Sequence, residues 1–161
     1  MHLMRYKPGS LVYATDMQAI KECLVHRANV DEQDRTYLRT ALILAATCSD
    51  YSKAEFLLTW KANPNLQDCF GNTALIKAAI EGNITMCELL LHAGSDQALK
   101  RQDGKTALQL ATFIGHQAVS SYLESWTSET DLAVESVSSA SWFVFTGVFR
   151  KAKKTTRCMI G

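Results

Sequence analysis

Three copies of the tripeptide Thr-Ala-Leu constrain the fold of this chain more than any other feature. They begin at Thr40, Thr73 and Thr106, so both intervals are 33 residues. The flanking residues keep the same interval, as these pairs show: Gly71 and Gly104, Gly82 and Gly115, Leu57 and Leu90, Leu58 and Leu91. A set of residues in one common phase indicates an array of stacked repeats.

Each period reads as a pair of short helices. Thr73 is suited to cap the first helix, Leu75 begins its apolar stripe, and Gly82 allows a tight reversal into the second helix. Gly94 follows the second helix where a left-handed cap is favoured. Helices of about eight to ten residues lie below the roughly 12–15 residues that are marginally stable alone. The units must therefore stack, which predicts a solenoid.

The segment from Asp68 to Asn83 resembles the unit of the ankyrin repeat family, which reads Asp-x-x-Gly-x-Thr-Pro-Leu-His-x-Ala-Ala-x-x-Gly-His. The resemblance implies an all-α ankyrin-repeat solenoid of about three and a half repeats with a partly disordered C-terminal extension. The predicted parts are a repeat domain 1–126 (partial repeat 1–33, repeats 34–66, 67–99 and 100–126), a Ser/Thr-rich linker 127–141 and an aromatic and basic tail 142–161.

The chain departs from the family unit in ways that predict somewhat lower stability. Ala replaces Pro in all three copies, and Ile43, Ile76 and Gln109 replace His, so the family's threonine–histidine hydrogen bonds are expected to be absent. Ser49 stands in place of an inter-helix glycine and Leu38 near an expected hairpin glycine. The first hairpin has one residue more than the second, so we expect it to be atypical.

The resemblance also implies that a partner protein docks on the concave face formed by hairpin tips and first helices. The predicted partner-binding residues are Arg35, Tyr37, Arg39, Thr47, Cys69, Phe70, Asn72, Ile80, Glu81, Gln102, Lys105, Phe113 and Ile114. Tyr37, Phe70, Ile80 and Phe113 are the informative members, because interface hot spots are enriched in aromatic anchors. The alternative is that some of them pack on neighbouring hairpins or under the tail.

Catalysis needs convergent groups, and the sequence gives no sign of them. His26, His92 and His116 all have structural explanations as helix-terminal residues, and there is no Gly-rich phosphate loop or metal-binding motif. We therefore expect no catalytic residue, no metal, no cofactor and no small-molecule substrate.

The distribution of charge and cysteine bears on partners and compartment. The formal net charge is +1, which argues against nucleic acid binding as the main role. The five cysteines are odd in number and widely spaced, which favours free thiols. No apolar stretch approaches the roughly 18–20 residues of a spanning helix. We expect an intracellular, cytoplasmic protein, and a nuclear location is also compatible.

The tail 142–161 carries five basic residues and no acid. The predicted contact residues are Trp142, Phe145, Arg150, Lys151, Lys153 and Lys154, an aromatic wedge beside a basic cluster. This pattern suits an anionic membrane surface, a calmodulin-type partner or a nuclear import receptor. Cys158, fourth from the end, resembles a prenylation signal, although a final Gly is not a usual choice. The alternative is a segment that folds back over the last repeat.

The sequence supports two hypotheses on the function of the chain. The first is a non-enzymatic interaction module or adaptor that binds a protein through the concave face. The second is a membrane-peripheral scaffold that the tail localises. The sequence identifies neither the partner nor the oligomeric state, and it leaves open whether the chain is a piece of a longer array.

Overall fold

A computed structural model describes residues 11–14 and 17–135. The chain is an all-α repeat solenoid, and no strand occurs among the described residues. Within the described ranges, a 3-10 turn, Leu11–Tyr13, precedes seven helices: α1 Met17–Val25, α2 Ala41–Thr47, α3 Tyr51–Thr59, α4 Ala74–Ile80, α5 Ile84–His92, α6 Ala107–Ile114 and α7 Gln117–Glu135.

The three Thr-Ala-Leu tripeptides mark the starts of α2, α4 and α6. Each threonine has an extended backbone, and its hydroxyl oxygen accepts a hydrogen bond from the backbone N–H three residues later. Thr40 Oγ1 and Thr73 Oγ1 lie 3.2 Å from the amides of Ile43 and Ile76. The side chains that replace His at these two positions are buried and apolar, so no reciprocal bond forms there.

The helices stack in two rows that follow the 33-residue repeat of the sequence. The first helices α2, α4 and α6 form an inner row, and α3, α5 and α7 form an outer row that packs behind it. Leu57, Leu90 and Leu123, each 33 residues from the next, are completely buried in the outer row. Burial between rows supplies the stability that such short helices lack alone.

The described part of the N-terminal partial repeat begins with a 3-10 turn. The turn Leu11–Tyr13 packs against both α1 and α2, and Leu11 and Val12 are buried. Among the described residues, this 3-10 turn occupies the place of a first helix.

The first hairpin is atypical, as predicted. Leu38 N donates to Asp34 O at 3.0 Å, a five-residue closure, whereas Gly71 N donates to Asp68 O at 2.9 Å, a four-residue closure. The extra residue is accommodated by Leu38, which has φ of 55°. Ser49 likewise has φ of 56° in the place where Gly82 has φ of 71°.

The last helix corrects the predicted linker boundary. α7 continues to Glu135, so residues 127–135 are helical rather than linker. The Ser/Thr content suggested a linker, but no Gly or Pro interrupts the chain between Gly115 and Gly147. Residues 136–141 of the predicted linker and the whole tail 142–161 lie outside the described residues.

Candidate protein-binding surface

A ladder of hydrogen bonds aligns the three hairpins that precede α2, α4 and α6. Cys69 N donates to Tyr37 O at 2.8 Å, and Gln102 N donates to Phe70 O at 3.1 Å. The side chain of Gln67 spans two hairpins, donating to Gly71 O at 2.8 Å and to Lys100 O at 2.9 Å. Because the hairpins share one register, residues one repeat apart become neighbours.

This register brings Tyr37 and Phe70 together at the hairpin tips. Their ring centroids are 6.3 Å apart and their planes differ by 25°, so the rings are stacked. They nevertheless remain 43% and 49% exposed. The two predicted anchors therefore form one surface feature, here called the aromatic platform. Each ring packs on the neighbouring hairpin, as the packing alternative predicted, and still faces solvent; the partner-binding role stays a prediction.

Arg39 extends the aromatic platform at one side. Its guanidinium carbon lies 4.7 Å from the Tyr37 ring centroid, within cation–π distance. Its Nε donates to Asp34 Oδ2 at 2.8 Å, and the Asp34 carboxylate also accepts the backbone N–H groups of Thr36 and Tyr37. Asp34 thus holds Arg39 and the tip of the first hairpin in one geometry.

The same contacts change the acidity of Asp34. Burial raises the pKa of its carboxyl, but the hydrogen bonds from Tyr37, Arg39 and Thr36 and the charge of Arg39 lower it more. The pKa of Asp34 therefore lies below its ordinary value, and the carboxylate is charged at neutral pH.

A second aromatic contact lies on the third repeat. Phe113 on α6 is 77% exposed, and Lys105 Nζ lies 4.6 Å from its ring centroid. Ile114 beside it is also exposed. In the described part of the chain, α6 therefore presents an apolar surface with a cation over one ring.

The thirteen predicted partner-binding residues divide into three groups. Seven are exposed: Arg35, Tyr37, Phe70, Glu81, Gln102, Phe113 and Ile114. Five are half-buried: Arg39, Thr47, Cys69, Ile80 and Lys105. Thr47 Oγ1 donates to Ile43 O at 2.9 Å, so that hydroxyl is engaged within its own helix.

Asn72 is the exception, and its prediction was wrong. It is buried, and its side-chain amide donates to both carboxylate oxygens of Asp68, at 3.0 and 2.9 Å. Asp68 also accepts the backbone N–H groups of Phe70 and Asn72. The pair closes the second hairpin from inside, so Asn72 cannot reach a partner.

Sequence reasoning also missed surface residues at the hairpin tips. Leu38 is 46% exposed beside Tyr37. Asp103 continues the register column of Tyr37 and Phe70, and its carboxylate lies 3.9 Å from both Arg101 and Lys105. The 33-residue phase alone could have located Asp103, since it places this residue one repeat after Phe70.

The predicted tail contacts, Trp142, Phe145, Arg150, Lys151, Lys153 and Lys154, lie outside the described residues. Within the described part of the chain, no three metal-binding side chains cluster. None of the described helices combines the length and apolar character needed to cross a bilayer.

The family model for ankyrin repeats (3 copies) matches residues 42–132, more than half of the chain. The chain belongs to the ankyrin repeat family. Ankyrin repeats are generally non-enzymatic and generally bind other proteins.

Curated relatives match a shorter part of this ankyrin repeat protein. Notch-regulated ankyrin repeat-containing protein B of Danio rerio is 43% identical over 53 residues, 33% of this chain and 48% of that protein. Notch-regulated ankyrin repeat-containing protein of Homo sapiens is also 43% identical over 53 residues, 46% of its length. Espin-like protein of Homo sapiens is 38% identical over 60 residues, 37% of this chain and 6% of that protein. The chain thus spans just under half the length of its Notch-regulated relatives.

Proposed function

We propose that this protein is a non-enzymatic adaptor that binds a partner protein through its hairpin tips and first helices. The observation that carries the proposal is the aromatic platform, in which Tyr37 and Phe70 stack on consecutive hairpins yet stay about half exposed. Large rings held rigidly at a surface are typical of binding hot spots, because little side-chain entropy is lost when a partner covers them.

The surroundings of the aromatic platform support this role. The hydrogen bond from Cys69 N to Tyr37 O fixes the backbone beneath the rings, and Arg39 packs against one of them. The surface is therefore preorganised before a partner arrives, which reduces the entropic cost of association.

The names of the Notch-regulated relatives state a regulator of those proteins and not a binding partner. They do not select a partner for this chain. The membrane-peripheral alternative depends on residues 142–154, outside the described residues, and remains a prediction. We also propose an intracellular setting, in keeping with the four cysteines of the described residues, which form no disulfide with one another.

An affinity pull-down with mass spectrometry would identify the partner. Binding affinities measured with purified proteins would then test the surface. We expect the double variant Tyr37→Ala, Phe70→Ala to weaken binding by more than about 2 kcal/mol. The thermal melt should change little, because both side chains are about half exposed and neither belongs to the buried core. The matched control is Tyr51→Ala, which removes a 40% exposed ring from α3, away from the platform. A double variant that melts early while its folded fraction binds normally would contradict the proposal.

A further inference from the structure

Charge is segregated between the two sides of the repeat array. We call one side the hairpin face. It consists of helices α2, α4 and α6, of Glu81 at the C-terminal cap of α4, and of the hairpin residues 33–40, 67–73 and 100–106. The basic residues of the hairpin face are Arg35, Arg39, Lys77, Lys100, Arg101 and Lys105. Its acidic residues are Asp34, Asp68, Glu81 and Asp103.

Two of these four acids do not act on a partner. Asp34 is buried and bonded to Arg39 and its own hairpin, and Asp68 is buried and bonded to Asn72. Glu81 and Asp103 are left as the solvent-exposed acids of the hairpin face. With the Arg39–Asp34 pair set aside, the hairpin face keeps five basic residues, exposed or half-buried, against Glu81, Asp103 and the buried Asp68, so its net charge is positive.

The opposite side of the array, formed by α1 and the outer row, has a net negative charge. Glu22, Glu55 and Glu88 recur every 33 residues along α1, α3 and α5, and α7 adds Glu124, against the basic residues Lys21 and Lys53. Residues 1–141 as a whole carry 12 basic and 16 acidic residues. The hairpin face is therefore a basic surface on an otherwise acidic domain.

Several of the cations on the hairpin face retain hydrogen-bonding capacity. Arg35 is exposed on the hairpin that carries Tyr37. The Arg101 side chain is 30% exposed; its Nε is buried and makes no hydrogen bond among the described residues, and Asp103 Oδ1 is 3.9 Å away, so the rest of the guanidinium is the part that a partner can reach. Lys105 Nζ lies at the same 3.9 Å from Asp103, so two cations share one carboxylate beyond hydrogen-bond distance.

We propose that the hairpin face binds an acidic peptide segment of its partner, with an apolar side chain on the Tyr37–Phe70 rings and carboxylates directed to Arg35, Arg101 and Lys105. Guanidinium groups bind carboxylates in a forked geometry, and complementary charge raises both specificity and association rate. This inference rests on the proposed function and adds the chemistry of the partner. The chain's own tail is a poor occupant, because residues 142–161 carry five basic residues and no acid.

The test selects random displayed peptides on the full-length protein at low salt. Two variants then test separately the apolar contact with the aromatic platform and the charge contact with the cations. Tyr37→Ala, Phe70→Ala removes the aromatic platform, and Arg35→Gln, Arg101→Gln, Lys105→Gln removes cations. Arg39 is left intact, because it holds Asp34. Tyr51→Ala is the control for loss of an exposed ring, and circular dichroism melts confirm that each variant is folded.

We expect the selected peptides to carry Asp or Glu around an apolar residue. Their affinity should fall more than about tenfold in the charge variant and should decline as salt rises to physiological strength. The platform variant should no longer bind these peptides, whereas Tyr51→Ala should bind them as wild type does.

Peptides that need the platform but show no acidic excess, and that bind the charge variant normally, would overturn this inference while the proposed function stands. Peptides that bind the platform variant normally would overturn both. A selection that returns no binder contradicts the inference, as does a single-stranded oligonucleotide that binds more tightly than the peptides and is lost in the charge variant.

Discussion

Leu38 and Gly71 occupy the same place in successive hairpins, and both have left-handed backbones, with φ of 55° and 79°. A side chain with a Cβ pays a steric penalty of roughly 1–2 kcal/mol in this region, whereas glycine does not. Leu38 is 46% exposed, so little burial offsets that strain. The first hairpin is therefore less stable than its glycine-containing counterparts.

Leu38→Gly should accordingly stabilise the protein by about 0.5–1 kcal/mol, the relief of strain minus the greater chain entropy of glycine in the unfolded state. Urea unfolding followed by circular dichroism measures the change. A lower unfolding midpoint would show that the Leu38 side chain contributes more than its exposure indicates.

Gly71→Ala should have the opposite effect in the equivalent place. An added Cβ would lie 3.0 Å from Arg101 Cα, in the backbone of the next hairpin, at a φ that alanine disfavours. We expect a loss of more than about 1 kcal/mol in the same urea experiment. Equal stability of Gly71→Ala and wild type would argue against the hairpin contact.

Gln109 forms a capping box that compensates for one missing histidine. Its side-chain Oε1 accepts from Thr106 N at 3.0 Å, and Thr106 Oγ1 accepts from Gln109 N at 3.4 Å. Gln109→Ala should cost about 0.5–1 kcal/mol, and Gln109→Glu should retain most of the stability because glutamate serves in the same motif. Thermal melts compare the two variants, and an equal loss in both would show that the reciprocal bond is immaterial.

The repeat phase explains why most of the fold was predictable. Thr40, Thr73 and Thr106 cap helices because a hydroxyl before an apolar helical stripe satisfies orphan amides locally. Leu75 is buried because every repeat must bury the same stripe against its neighbour. These features depend only on residue type and interval, and both are visible in the sequence.

The candidate surface was less predictable, since exposure depends on particular contacts. Asn72 follows Asp68 by four residues, and only the fold of the hairpin turns its amide inward. The charge segregation likewise needs the stacked hairpins, because Arg35, Arg101 and Lys105 come from different repeats. Helix α7 continues beyond the predicted start of the linker at residue 127, because a Ser/Thr-rich composition does not end a helix where no Gly or Pro interrupts it.

Asp34 gives the fold a specific dependence on pH. Its pKa is lower in the folded state, so its contribution to stability is present above the ordinary carboxyl pKa and is lost as the pH falls through the folded value. Asp34→Asn should therefore be less stable than wild type near neutral pH, and the difference should shrink under acid. Urea unfolding across a pH series measures this, and a difference independent of pH would exclude the ionised carboxylate as its source.

The described cysteines should differ sharply in reactivity. Cys87 is completely buried on α5, and burial, with a smaller effect of Glu88, raises the pKa of its thiol to about 12. Cys48 is exposed after α2. Iodoacetamide at mildly alkaline pH should alkylate Cys48 first and Cys87 only after unfolding, because the thiolate is the nucleophile. Peptide mapping reads out each site, and equal native labelling of both would contradict the burial of α5.

Leu75 and Leu108 occupy equivalent places in α4 and α6 but differ in burial. Leu75 is 1% exposed between two repeats, whereas Leu108 is half-buried at the edge of the described array. Leu75→Ala should cost about 2–5 kcal/mol, as a large-to-small change in a packed core. Leu108→Ala should cost clearly less, because its side chain has fewer neighbours to lose. Thermal and urea unfolding of the two variants provide the comparison. A Leu75→Ala melt indistinguishable from wild type would refute the repeat register. If Leu75→Ala and Leu108→Ala lost equally large amounts of stability, the side chain of Leu108 would have to be covered by residues outside the described part of the chain.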